Sequence, residues 1–177
     1  MAADKGRRPA LRQVDGGRTR STGPAGDHGA LLDDTNKAII GQLQTDGRRS
    51  YAAIAQAVGL SEAAVRQRVN RLLDSGVMQI AAVTDPLTLG FQRQAMVGIR
   101  TEGDQRTVAD ELARLPEVDY VVLTAGTFDI LIEIVCADDE QLLRLLNEQI
   151  RAVPGVRETE TFVYLKLAKQ TYTWGTR

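Results

Sequence analysis

The apolar residues change their spacing once along this chain, and that change limits what it can fold into. Up to Gly76 they recur at helical intervals; from Gln94 onward strand-like runs and helical stripes follow in the order strand, helix, strand, strand, helix, strand. This order is the split βαβ of ferredoxin-like domains, an antiparallel sheet with both helices on one face. The other face needs a cover. With a single helical layer the usual cover is a second copy, so a homo-oligomer, a dimer at least, is expected.

Three helices are predicted before Gly76. Asp33 and Asp34 precede Ala38, Ile39, Ile40 and Leu43, one apolar stripe with carboxylates at its positive N-terminal end, and Thr45-Asp46-Gly47 ends it. Ser50 caps a second helix carrying Ile54, Ala55 and Val58, stopped by Gly59. Ser61 caps a third, whose buried stripe is Ala64, Val65, Val69 and Leu72. Two helices joined by a short glycine turn, with the small Ala55 where the first must approach the second, form a helix-turn-helix.

The remaining side of the third helix defines a DNA-binding set: Ser61, Glu62, Ala63, Arg66, Gln67, Arg68, Asn70 and Arg71. Arginine can donate twice to guanine O6 and N7, and Gln or Asn can pair with adenine N6 and N7 in the major groove. Arg68 is read as a phosphate contact that positions the helix. The alternative for each residue singly is a solvated helix face. The polar side, the tight turn and the three-helix setting together favour double-stranded DNA as a partner.

Val77 to Val83 is an apolar-rich strand candidate ending at Thr84-Asp85-Pro86, and a linker follows. The expected organisation is a flexible arm over 1–30, the helix-turn-helix domain over 31–80, strand and linker over 81–93, the α+β domain over 94–169 and a tail over 170–177. Within the α+β domain, strands are predicted at Gln94–Thr101, Val118–Thr124, Asp129–Val135 and Val156–Ala168. Helices are predicted at Thr107–Leu115 and Asp138–Arg151, the latter striped by Leu142, Leu145, Leu146 and Ile150. The arm is rich in Gly, Pro, Ser and Thr with scattered Arg. It reads either as a loose contact to DNA phosphates or as a solvated tail.

Charge divides the same way. A formal net charge of -1 hides six basic against three acidic residues in 1–30, six against five in 31–80, and ten against fifteen in 81–177. The basic end suits a polyanion and the acidic end does not. Within the 177 residues no apolar run has the length of a membrane span, no secretory signal opens the chain, and a cytoplasmic protein without membrane contact is expected.

An enzyme is not expected. The one histidine, His28, lies in the arm, and the one cysteine, Cys136, follows an apolar strand and reads as buried. Neither a phosphate loop nor a metal-ligand cluster is visible, so no cofactor is expected.

From Leu32 to about Lys169 the chain resembles the Lrp/AsnC family, the feast/famine regulators that respond to amino acids. The likeness rests on Leu32-Asp33, Asp46-Gly47-Arg48, Ser61 to Leu72, Gly76-Val77, Gly126-Thr127-Phe128-Asp129 and Pro154-Gly155-Val156. One departure is Asn36, where the family often has aspartate. The resemblance implies an α+β chain: a winged helix-turn-helix domain and a ferredoxin-like βαββαβ domain of the RAM/ACT-like kind. It also implies dimers assembled into tetramers, octamers or open arrays, with a small-molecule effector, an amino acid, bound between dimers.

The family's hairpin at the pocket matches Gly126, Thr127, Phe128 and Asp129 here. Asp129 would take the effector's ammonium and backbone N–H groups near Gly126 and Thr127 its carboxylate, with Thr159 and Thr161 as further lining. Alternatively, Gly126 is a turn residue with positive φ, Asp129 caps the turn, and Phe128 is core or dimer contact. A constitutive architectural DNA binder without effector is the competing functional reading.

Overall fold

The computed structural model describes residues 31–173 and 175–176. The arm at 1–30 with His28, and Trp174 and Arg177 of the tail, lie outside the described residues. The chain divides into two compact units, one ending at Ala81 and taking in the C-terminal residues from Thr171, the other spanning Ala82–Gln170.

The first unit contains α1 (Asp34–Thr45), α2 (Tyr51–Val58) and α3 (Glu62–Asp74). Each begins on a side-chain cap that satisfies an otherwise orphaned N–H: Asp33 accepts from Asn36, Ser50 from Ala53 and Ser61 from Ala64. Gly59 ends α2 in the left-handed region at φ 70°, where a side chain would be strained. Ile39, Leu43, Ile54, Ala55, Val65 and Val69 form one core, so each helix contributes its apolar stripe.

After α3 the residues from Val77 to Asp85 join no strand ladder. The strand expected at Val77–Val83 is therefore not formed, and Ile80 is half exposed and Val83 more than half. A strand exists only with a hydrogen-bonding neighbour, and apolar composition cannot supply one.

The second unit is β1 (Arg93–Thr101), α4 (Gln105–Leu112), β2 (Val118–Leu123), β3 (Ile130–Cys136), α5 (Asp139–Arg144), a π-helical turn (Leu145–Ile150) and β4 (Val156–Val163). The sheet order is β2-β3-β1-β4 with every pairing antiparallel. That is the ferredoxin-like order. α4 starts two residues earlier than expected because the Asp104 carboxylate accepts from Arg106 N–H. The second helix keeps its Asp138 cap but widens into π geometry, and the widened turn keeps Leu145 and Ile150 buried.

Along β3, Ile130, Ile132, Ile134 and Cys136 point to the helices while the residues between them point away. With Ala95, Val97 and Ile99 of β1 and Val108, Leu112, Leu145 and Ile150 of the helices they form the core. Full burial of each isoleucine contributes roughly 1.5–3 kcal/mol.

Among the described residues, no helix of this unit covers the opposite face of the sheet. Its centre carries Met96, Gly98 and Arg100 of β1, Leu131 and Glu133 of β3 and Phe162 of β4, with Tyr120 at the β2 edge. Gln94 Nε2 donates to Glu133 at 2.8 Å. Burial, then the charge of Glu133, pushes the Tyr164 phenol up to about 12, so it stays protonated as Glu133's neighbour.

Gly98 is a close-approach position. A Cβ there would stand 2.7 Å from the Phe128 ring, which folds back over β1 and meets Phe162 edge-on at 6.1 Å between centroids. Gly98→Ala is expected to lower the stability of this unit by about 1–3 kcal/mol. In denaturant titrations the Gly98→Ala, Phe128→Ala double variant should lose less than the sum of the two single losses.

Candidate nucleic-acid interface and ligand pocket

Seven of the eight expected DNA contacts, Ser61, Glu62, Ala63, Arg66, Gln67, Asn70 and Arg71, are exposed on α3. They share a side because Val65, Val69 and Leu72 turn the other side into the core. Arg66 is held before any ligand arrives. Its guanidinium bonds Glu62 Oε1 at 2.8 Å, one helical turn back, and lies 5.1 Å from the Tyr51 ring centroid. Tyr51 opens α2 and was not among the expected residues; its part depends on a contact between helices that spacing within either one does not reveal.

Arg68 differs from its neighbours. It is only partly exposed and points to α1, donating to Asp33 Oδ2 at 2.7 Å and to Asn36 Oδ1 at 3.0 Å. Asn36 is buried, and its Nδ2 donates to the carbonyl of Leu31 at 2.7 Å. The Arg68 hydrogen bond, followed by the N–H of Asn36, holds the Asp33 carboxyl below its usual range. The contribution of this contact to folding is present above the unfolded pKa and is lost as pH falls through the depressed folded one.

In the second unit an open cavity of about 370 Å³ is lined by Arg100, Phe128, Arg151, Glu158, Thr159 and Glu160. Of the expected effector residues, Phe128 and Thr159 line it, whereas Gly126, Thr127, Asp129 and Thr161 do not. Thr127 acts through its carbonyl, which accepts from Arg100 Nε at 3.0 Å. Thr161 pairs with Val97, one repeat along β4 from Thr159. Gly126 does not have positive φ, so the turn reading of that glycine fails, although a Cβ there would meet nothing within 4 Å.

Asp129 anchors the hairpin. Its Oδ2 accepts from Thr101 N–H at 2.7 Å and from the Thr101 hydroxyl at 3.2 Å, beside the register shift between Arg100 and Thr101. Its own N–H donates to Ile99 C=O at 2.9 Å. These bonds fasten the Ala125–Asp129 turn to β1 and lay Phe128 over Gly98.

The charged lining was missed at the sequence level because strand register brings it together. Arg100 stands opposite Glu158 and bonds it at 3.1 Å, with the guanidinium 5.8 Å from the Phe128 centroid. Arg151 reaches across from the end of the π turn to Thr159 Oγ1 at 2.9 Å and to Asn147 Oδ1 at 2.6 Å. Both of those acceptors are neutral, so its charge stays available to an anion.

A three-helix head with an exposed polar recognition helix, joined to a four-stranded α+β domain, defines a DNA-binding transcription regulator. The comparisons agree: residues 32–73 match the AsnC-type helix-turn-helix domain, and residues 91–177 match a C-terminal dimeric alpha+beta barrel domain of AsnC regulators. The chain is 37% identical over 143 residues to an uncharacterized HTH-type transcriptional regulator of Pyrococcus abyssi, covering 80% of this chain and 90% of that one. The crystal structure of the leucine response regulatory protein of Mycobacterium tuberculosis superposes with a TM-score of 0.71 at 28% identity, over 78% of this chain and 96% of that one. A transcriptional regulator from Neisseria meningitidis, solved as an L-Met complex, shares the fold with a TM-score of 0.69 at 24% identity, over 80% of this chain and 95% of that one. The chain belongs to the Lrp/AsnC family. It is a transcriptional regulator and not an enzyme. No helix among the described residues is long and apolar enough to cross a membrane.

Asp129→Ala should cost about 1.5–3 kcal/mol, the worth of hydrogen bonds to a charged group, whereas Asp129→Asn, which keeps an acceptor, should cost less. Denaturant midpoints of the two variants check this. Equal stability of wild type and Asp129→Ala would remove the anchoring role.

Proposed function

We propose that this regulator reads duplex DNA with Arg66, Gln67, Asn70 and Arg71 of α3, assembles through its uncovered sheet face, and responds to an amino acid held at the Arg100–Arg151 cavity. The observation that carries the DNA reading is the pre-set Arg66, whose fork is oriented by Glu62 and Tyr51. A fork already held in place loses less freedom when it pairs with a base. Ser61, Glu62 and Ala63 border the same surface at the start of α3.

Assembly is supported by the composition of the uncovered face. Met96, Leu131, Tyr120 and Phe162 form an apolar surface, with Tyr120 55% and Phe162 44% exposed, and the matching family domain is described as dimeric. A second copy of the same face would bury these side chains.

The cavity has the charge pattern of a zwitterion's complement. Arg151, hydrogen-bonded to neutral acceptors, offers its guanidinium to a carboxylate, and Glu160 offers a carboxylate to an ammonium. Phe128 supplies an apolar wall for a side chain. The Neisseria relative bound to L-Met has the same fold. In this reading Asp129, Gly126 and Thr127 shape the wall and Thr159 orients Arg151, while Thr161 has no part.

Arg66→Ala or Gln67→Ala should weaken binding to a selected duplex by about 1–3 kcal/mol in an anisotropy titration, with the oligomer intact in analytical ultracentrifugation. Unchanged affinity in both variants would remove α3 as the reading helix. Separately, a thermal-shift screen of the common amino acids should find at least one that stabilises the wild type, by about 2.7 kcal/mol at a hundredfold excess over Kd, and that has no effect on Arg151→Ala. If none stabilises it, the regulator is a constitutive architectural binder.

A further inference from the structure

Arg68 lies within the stretch that faces DNA, and its charge suits a phosphate, yet its position on the helix does not. At about 100° per residue, Arg68 sits roughly 160° around α3 from both Arg66 and Asn70, and within about 60° of Val65 and Leu72, which are buried. Its guanidinium is directed into the first unit, where one nitrogen serves Asp33 at 2.7 Å and Asn36 at 3.0 Å.

We propose that Arg68 is a positioning residue, a strut between α1 and α3 that fixes how far the reading helix is rotated about its own axis and so where its base-contacting side chains point. Both acceptors are already committed to α1. The other oxygen of Asp33 caps that helix through Asn36 N–H at 2.7 Å, and Asn36 is 5% exposed with its amide nitrogen bonded to Leu31. The end of the strut on α1 is therefore rigid. Besides the exposed Arg66 contact to Tyr51 of α2, α3 is held by apolar contacts at Val65, Val69 and Leu72, which are less directional than a charge-assisted bond. A charge-assisted bond on the flank of the buried stripe adds direction toward α1, because rotation of α3 carries the guanidinium off its two acceptors. Base reading depends on direction, since a bidentate contact tolerates little displacement.

The strut also accounts for Asn36. With the exposed Asp33 already supplying one negative charge to a single guanidinium, a neutral acceptor at the buried position 36 completes the contact without burying a carboxylate. Loss of the arginine would leave Asn36 Oδ1 buried without that donor.

The proposal rests on α3 being the reading helix, and the test separates the two. The probe is a duplex selected by the wild-type chain from a randomised pool, with a scrambled duplex of equal length and composition. Affinities of the full chain are measured on both across a salt series for Asp33→Asn, Arg68→Met and Arg66→Ala. Asn at 33 keeps an acceptor for the cap while removing the charge, so this variant decides the matter even where Arg68→Met does not fold.

The strut requires the ratio of selected to scrambled affinity to fall roughly tenfold in Asp33→Asn and in Arg68→Met, with the salt slope unchanged in Arg68→Met. A phosphate contact gives the opposite pattern. Arg68→Met would then lower the salt slope by about 1 on both duplexes, Asp33→Asn would tighten both, and the ratio would be kept. That result, or an unchanged ratio in both variants, overturns the strut. If Arg66→Ala lowers the ratio and Asp33→Asn does not, only the strut falls; if Arg66→Ala leaves it unchanged, the reading helix falls and the strut with it.

Discussion

The pairing of β1 with β3 on one side and β4 on the other is the constraint on which the second unit depends. One register sends Ala95, Val97 and Ile99 to the helices and Met96, Gly98 and Arg100 to the uncovered face. A slip of one residue would exchange the two sets, burying Arg100 and exposing Ile99. The same register sets Arg100 against Glu158 and leaves the glycine where Phe128 folds over the strand. Core, uncovered face and cavity thus follow from a single alignment of strands. The bulge beside Thr101, tied down by Asp129, ends that alignment where the hairpin crosses β1.

How much of this the sequence discloses depends on the range of the interaction. Caps at Asp33, Ser50 and Ser61 are legible because donor and acceptor lie three residues apart. The apolar side of α3 and the alternation in β3 are legible because each periodicity belongs to its own element. Arg68 is different: a basic residue in a recognition helix reads as a DNA contact until its partners, 35 and 32 positions away, are located. The cavity is likewise built from residues of β1, the hairpin, the π turn and β4, and only its hairpin and Thr159 could be named beforehand. Val77 to Val83 fails for a related reason, since strand composition is local and strand pairing is not.

In the first unit, small polar groups do several jobs at once. Asp33 closes the N-terminus of α1 with one oxygen and receives Arg68 with the other. Its charge is favourable to the helix dipole and to the guanidinium alike, and each interaction keeps it ionised. A pair half open to solvent contributes little to stability by itself. In the proposed strut its contribution is geometry: the apolar core around Ile39, Ile54 and Val65 sets which side of α3 faces inward, and the bond to α1 refines that rotation.

The cavity and the uncovered sheet face share side chains, which bears on how a ligand could change assembly. Phe128 lines the cavity and also meets Phe162 on that face, while the Arg100 guanidinium lies near the Phe128 ring and bonds both Glu158 and the Thr127 carbonyl. In the proposed reading a ligand seated at Arg151 also lies against Phe128, which lines the same cavity. Displacement of that ring would alter its contact with Phe162, so the proposed reading links occupancy of the cavity to the uncovered face. Such coupling shifts assembly only by the difference in ligand affinity between the two arrangements. Gly98 sets where the ring starts: with no side chain beneath it, Phe128 rests directly on β1, and a Cβ there would stand 2.7 Å from the ring.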